Sequence, residues 1–343
     1  ILDNRPIKSV TEGLAGLVAG LNVDQTNGAP QSDPNLNIRG FTGFNSQQSP
    51  LILVDGVERT LGDINPADVE SISVLKDAAA SAIYGSRAPY GVILVTTKSG
   101  EKGTGIHVSY NGRYNIGQPI NVPSFADSWV FAERYNQAYR NASLAPAFSE
   151  EAIQRMRDYG AGVIDYNNIA LSNGQWGAHW DSNDNNDWFD LALRSSIPSQ
   201  QHNLNFSGGS ENTTYYMGLG YNESIGLFEG LGDQRDRYNA LLKVSTDVTD
   251  WLSLNLSMNY IRTNEFGPEY QGQGRNYNTI FNVLSRTWPN WADINPNGSP
   301  HWLSPLSAFT GEVGEERLER NDFVVTGGFN INPLEGWNIT GNY

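Results

Sequence analysis

Apolar and polar residues alternate pairwise along most of this chain, and the pattern sets in near residue 104. Ile106, Val108, Tyr110, Gly112 and Tyr114 fall on one face of an extended segment, with His107, Ser109, Asn111 and Arg113 on the other. The same period returns at 199–208, 213–223, 236–248, 251–263, 321–332 and 336–343. Leu204 and Phe206, Met217 and Leu219, Leu242 and Val244, Leu254 and Leu256, Val325 and Phe329, and Trp337 and Ile339 carry it. Each predicted strand is about 8–13 residues long, which covers the length a tilted strand needs to cross a bilayer. The connections are sorted by length. Those at 117–198, 224–235 and 264–320 are long, whereas 208–212, 249–250 and 333–336 are tight. Such sorting predicts antiparallel transmembrane β-barrel strands, with short turns at one membrane face and long loops at the other. Tyr114, Tyr215, Tyr216, Trp251, Tyr260, Trp337 and Tyr343 lie near strand ends, where interfacial aromatic girdles belong. An aromatic core in a soluble β domain is the alternative.

Residues 1–103 read differently, as a small mixed α/β unit. Val10 to Val18 has roughly helical apolar spacing, and 37–40 and 50–56 read as short strands joined by the polar, Gly-containing loop 41–49. Asn65-Pro66 offers a capped helix start, Ser71 to Leu75 a strand, and Asp77 to Tyr84 a capped helix stopped at Gly85. Gly91 to Lys98 is an apolar, β-branched strand. The expected fold is therefore a mixed α/β domain (1–103) followed by an incomplete antiparallel barrel (104–343).

Composition narrows the function. The net charge is −15, with 22 basic residues scattered among 37 acidic ones, so a nucleic-acid partner is not expected. There is no cysteine, which removes disulfides, thiolate metal sites and cysteine nucleophiles. No run approaches the roughly 18 apolar residues of a membrane helix, but barrel strands need no such run. The chain starts at Ile1 without a leader and stops at Tyr343 inside a predicted strand, so the expectation is a piece of a longer protein.

From Asn37 onward the residues carry a resemblance. Asn37-Ile38-Arg39-Gly40, Leu51 to Val57, Asp68 to Arg87 and Gly91 to Gly100 resemble the plug of TonB-dependent transporters, specifically the SusC/RagA-like branch found in Bacteroidota. Asn186 to Asp190 and His202 to Ser210 are similar to the first barrel strands of that branch. The resemblance implies an importer in the outer membrane of a Gram-negative cell, with a 22-stranded barrel occluded by the plug. It also implies a SusD-like surface lipoprotein as lid, TonB as the source of energy through a segment absent from this chain, contact with outer-membrane lipid, and a large nutrient as substrate. A glycan is the first expectation, an oligopeptide the second. A small siderophore-like ligand, or a signalling receptor without bulk import, is the alternative.

Under that resemblance, Phe41, Phe44, Asn45, Gln47, Gln48, Glu58 and Arg59 lie on the plug's upper loops as candidate substrate contacts. Phe supplies a stacking face, and Asn, Gln and Arg supply directional hydrogen bonds. Arg39 and Arg87 are candidate ion-pair contacts from plug to barrel, with a pair inside the plug as the alternative. Trp176, Trp180, Trp288, Trp291 and Trp302 fall in the long loops, where packing, partner anchoring and sugar binding are all open. The run Asp181 to Asp187 offers alternating oxygen ligands but lacks the Gly and terminal Glu of a calcium loop, so a hydrated loop is expected. The four histidines show no metal spacing and no nucleophile motif is present. No enzyme activity, cofactor or metal is expected.

Overall fold

The computed structural model describes residues 7–24, 28–30, 32–38, 49–76, 82–230, 232–268, 277–306, 315–334 and 336–343. In the N-terminal unit a helical turn, α1 (Val10–Gly13), is followed by an antiparallel pair, β1 (Leu21–Asp24) and β2 (Asn35–Ile38). Strands β3 (Leu51–Val54), β4 (Val57–Glu58), β5 (Val69–Leu75) and β6 (Val92–Thr97) form a four-stranded sheet in the order β4-β3-β6-β5. The central β3 and β6 are parallel, Leu51 opposite Val92 and Val54 opposite Val95. Both faces of this pair are covered, which is why 51–54 and 92–95 are continuously apolar rather than alternating. On one side Val54, Ile93 and Val95 pack with Val10, Leu14, Leu21, Leu36 and Ile38. On the other, Leu51, Leu53 and Val92 pack with Ala88. Gly91 enters β6 at φ 97°, and a Cβ there would sit 2.9 Å from the Leu75 carbonyl, so the tight entry admits only glycine.

Three local expectations change. The helix read at 10–18 ends at Gly13, because two glycines in its short span leave too few good helix formers to extend it. The Asn65-Pro66 start becomes a single 3-10 turn, Pro66–Asp68, with the Asn65 side chain accepting from the Ala67 N–H at 3.2 Å. Of the helix expected at 77–84, residues 77–81 lie outside the described residues, and 82–87 is a 3-10 turn broken at Gly85.

The second region is one antiparallel sheet of seven strands in chain order: β7 (His107–Gly117), β8 (Ile197–Gly209), β9 (Thr213–Ile225), β10 (Gln234–Thr249), β11 (Leu252–Pro268), β12 (Glu315–Ile331) and β13 (Ile339–Asn342). Its register places Tyr110, Leu204, Leu219, Ala240, Tyr260 and Phe323 in one cross-strand row. The adjacent row runs Asn111, Asn203, Gly220, Asn239, Ile261 and Asp322 and points to the opposite face. Strands β10, β11 and β12 extend beyond the predicted ends, so the connections shrink to 226–233 and 269–314. Hydrophobic alternation stops at the charged stretches near 234–237 and 315–320, but backbone pairing does not: Gln234 pairs with Phe266 and Glu315 with Pro268.

The long connections are not structureless. Helices α2 (Ser128–Asn141), α3 (Glu150–Gly160) and α4 (Trp188–Ala192) lie between β7 and β8, and α5 (Tyr277–Arg286) between β11 and β12. Helix α3 begins at a Ser149 cap that accepts from the Ala152 N–H, a local signal present in the sequence. The two insertions pack on one another through Ala132, Phe148, Ile153, Met156 and Trp288, and through Trp188, Phe189, Ile280 and Leu284. They form a single lobe at the long-connection end of the sheet.

Candidate functional site

The sheet is inverted relative to a water-soluble one. Its outward face exposes large apolar side chains, among them Tyr110 (65% exposed), Phe323 (65%), Val325 (46%) and Leu242 (37%). Its other face buries Ser199, Gln201, Asn203, Asn222, Ser224, Arg235, Arg237, Asn239 and Thr263. The N-terminal unit lies against that polar face, and their junction is the candidate site.

Strand β10 supplies the cations. Arg235, Arg237, Asn239 and Lys243 occupy its odd positions and point inward, while Tyr238, Ala240, Leu242 and Val244 point outward. Arg237, only 2% exposed, donates to the carbonyl oxygens of Gly62 and Lys8, the latter at 3.3 Å. It thus holds two chain-distant segments of the N-terminal unit at once. Arg235 lies 3.7 Å from Asp33 and 3.5 Å from Glu265. The Lys243 ammonium reaches the Asp55 carboxylate at 3.2 Å and the Thr97 hydroxyl at 2.9 Å. Asp55 in turn accepts from the Thr97 N–H at 3.0 Å. From β12, Arg320 pairs with Asp63. Such charge-assisted bonds are strong when fixed, and each depends on its partner staying in place.

In a second group the wall side chains are uncharged. Asn65 donates to the Asn203 side chain on β8 at 2.9 Å, and Tyr216 on β9 donates to Asp68 at 2.8 Å. Gly218 and Gly220 make room for this turn, since a Cβ on either would overlap the side chain of Asp68 or Asn65. Burial pushes the Asp68 carboxyl up to about 6, against the lowering effects of Tyr216, Lys98 and Asn65. A cavity of about 300 Å³ opens beside the long-connection end, lined by Lys8, Glu12 and Asp33 facing Asn222, Ser224 and Arg235.

Most expected contact residues, Arg39, Phe41, Phe44, Asn45, Gln47 and Gln48, lie outside the described residues. Glu58 and Arg87 pair with each other at 3.8 Å, both largely exposed, a contact internal to the N-terminal unit. Arg59 is half-buried. Burial lowers its pKa, while the carboxylates of Asp63, Asp322 and Asp55 act to raise it. The wall cations Arg235, Arg237, Lys243 and Arg320 were not singled out in the sequence. The signal was there: three of the four sit on the polar positions of a strand whose other positions are apolar.

In the lobe, Trp180, Trp288 and Trp291 pack with Tyr135 and Phe148 or with one another, whereas Trp302 is 70% exposed. Side chains of the Asp181–Asp187 run staple loops to one another. Asp187 caps α4 and accepts from Phe125, Asp184 accepts from Asn167, and Asn186 donates to the Trp291 carbonyl.

Residues 1–92 match the family model of the TonB-dependent receptor plug domain. A TonB-dependent receptor of Formosa agariphila is 30% identical over 313 residues, which is 91% of this chain and 26% of that protein. The TonB-dependent receptor SusC of Bacteroides thetaiotaomicron is 28% identical over 91% of this chain and 30% of its own length. The chain thus spans roughly a quarter to a third of these relatives. Among solved structures, the RagAB peptide importer in its closed-closed state superposes with a TM-score of 0.73 at 24% identity, covering 99% of this chain and 39% of the matched one.

Proposed function

We propose that the chain is a TonB-dependent receptor of the SusC-like branch, and that it forms the plug (1–103) and the first barrel strands (104–343) of an outer-membrane importer. The observation that carries this reading is the inverted sheet. An apolar outer face suits lipid, and a polar inner face suits a plug that must stay hydrogen-bonded yet separable. The seven strands make part of a wall, since even the smallest natural barrels need about eight.

In this reading a large nutrient, a glycan or an oligopeptide, is captured among the loop lobe, the plug's upper surface and a SusD-like lipoprotein lid. TonB then draws the plug away from the wall. Phe41, Phe44, Asn45, Gln47, Gln48, Glu58 and Arg59 remain the proposed substrate contacts, and Arg39 a proposed contact between plug and barrel. In this reading the protein transports rather than catalyses.

The test uses the full-length protein, extracted from outer membranes in mild detergent, with co-purifying proteins identified by mass spectrometry. A stoichiometric surface lipoprotein supports the lidded importer. Presence in the outer membrane without such a partner favours a lidless receptor for a small ligand. Absence from the outer membrane overturns the barrel reading.

A further inference from the structure

We propose that the turn Asn65–Asp68 is a proton-operated latch, by which acidification seats the plug more firmly on strands β8 and β9. The geometry is that of a socket. The Asp68 carboxyl is 4% exposed and accepts from the Tyr216 hydroxyl at 2.8 Å. Asn65, equally buried, is tied to Asn203 at 2.9 Å. Gly218 and Gly220 leave the wall free of side chains where the two enter. The turn is fastened from behind as well, since the Lys98 N–H donates to the Asp68 carbonyl at 2.8 Å.

Among the described residues, the charged and titratable groups around Asp68 are few. Tyr216 faces it from β9, and Lys98 lies beside it where the chain leaves β6. One step further, Lys243 of β10 is already engaged by Asp55 and Thr97. Arg113 of β7 shares with Lys98 a polar cavity next to the turn. Strand β8 contributes neutral amides, Gln201, Asn203 and Asn205, to the same cavity.

The sign follows from burial. Seated, the carboxyl holds its proton up to about pH 6; released into water it returns to its ordinary value of 3.8. The seated state therefore binds the proton more tightly, so docking is firmest below the released value and weakens as pH rises through about 6. Between pH 5 and pH 7.5 these two values shift the opening equilibrium of the turn about tenfold. The consequence for import rests on the reading that the plug leaves the wall; the latch itself does not.

Hydrogen exchange on the resting full-length protein, without TonB, tests it. Protection factors, which divide out the intrinsic effect of pH, are compared at residues 67–72 and at 226–233. The second segment carries another buried carboxyl, Asp233, which accepts from Tyr277 of α5. Wild type should be about tenfold better protected at pH 5 than at pH 7.5 in 67–72. Asp68→Asn, a neutral isostere that still accepts from Tyr216, should lose this dependence in 67–72 and keep whatever dependence 226–233 shows. If Asp68→Asn does not fold, Tyr216→Phe should move the midpoint to higher pH by removing a bond that favours the ionised form. Equal protection at both pH values in wild type, or an undiminished dependence in Asp68→Asn, overturns the latch and leaves the import reading untouched. Loss of import with the latch intact overturns only the latter.

Discussion

The plug and the wall strands solve opposite solvation problems with the same alternation of side chains. In the plug, Val10, Ile93 and Val95 are buried in an apolar core, and charges sit outside it. In the wall, Arg237 and Asn239 are buried, and Tyr238 and Leu242 stand exposed. Period 2 establishes that a strand has two unlike faces; it does not say which face meets water. The difference teaches that burial in this protein follows what each face packs against rather than residue polarity.

The contrast can be broken from the plug side first. Ile93→Ala should cost about 2–5 kcal/mol of plug stability, through lost burial and the cavity left behind. Urea unfolding of the full-length protein, followed by proteolysis within the plug, reads this. A change below about 0.5 kcal/mol would mean that residues 7–97 do not form an ordinary core.

From the wall side, Leu242→Arg places a charge on the outward face. Folding into lipid vesicles should lose about 2–4 kcal/mol near the bilayer midplane, whereas a water-facing position would tolerate the change. Tolerance in vesicles would remove the argument from inversion.

The junction responds less. Arg237→Ala leaves the Gly62 and Lys8 carbonyls without their donor and should loosen plug seating by about 1–3 kcal/mol. The expected readout is faster proteolysis near residue 62 with the barrel intact. The smallest effect belongs to Arg87→Ala. Its pair with Glu58 is about two-thirds exposed on both sides and should contribute under about 1 kcal/mol. A larger loss in the full-length protein would show that Arg87 holds a wall partner after all.

Much of this was legible beforehand. Strand alternation and the Asn65 cap each rest on local pattern, and each appears in the structure; the sorting of connections is blunted, since 226–233 and 332–338 come out nearly equal in length. The length of helix α1 was misread, because apolar spacing over 10–18 outweighed its glycines. The lobe helices are less legible, because 117–198 and 264–320 stand out chiefly by their length, although Ser149 and the acidic residues after it mark a helix start. The plug–wall cations were missed for a different reason. The expectation looked for arginines on the plug reaching outward, but most of the described bridges run from the wall inward, Arg235, Arg237, Lys243 and Arg320 to Asp33, Gly62, Asp55 and Asp63.

What the amino-acid order determined by itself is which residues share a face, where strands turn, and where a helix begins, because these depend on neighbours a few positions away. The tertiary structure decided which face is buried, which charges meet, and that Asp68 lies in a water-poor socket. Residues 68 and 216 are 148 positions apart, and only the docking of plug on wall brings them within 2.8 Å. Desolvation is a property of that enclosure, and no local pattern encodes it.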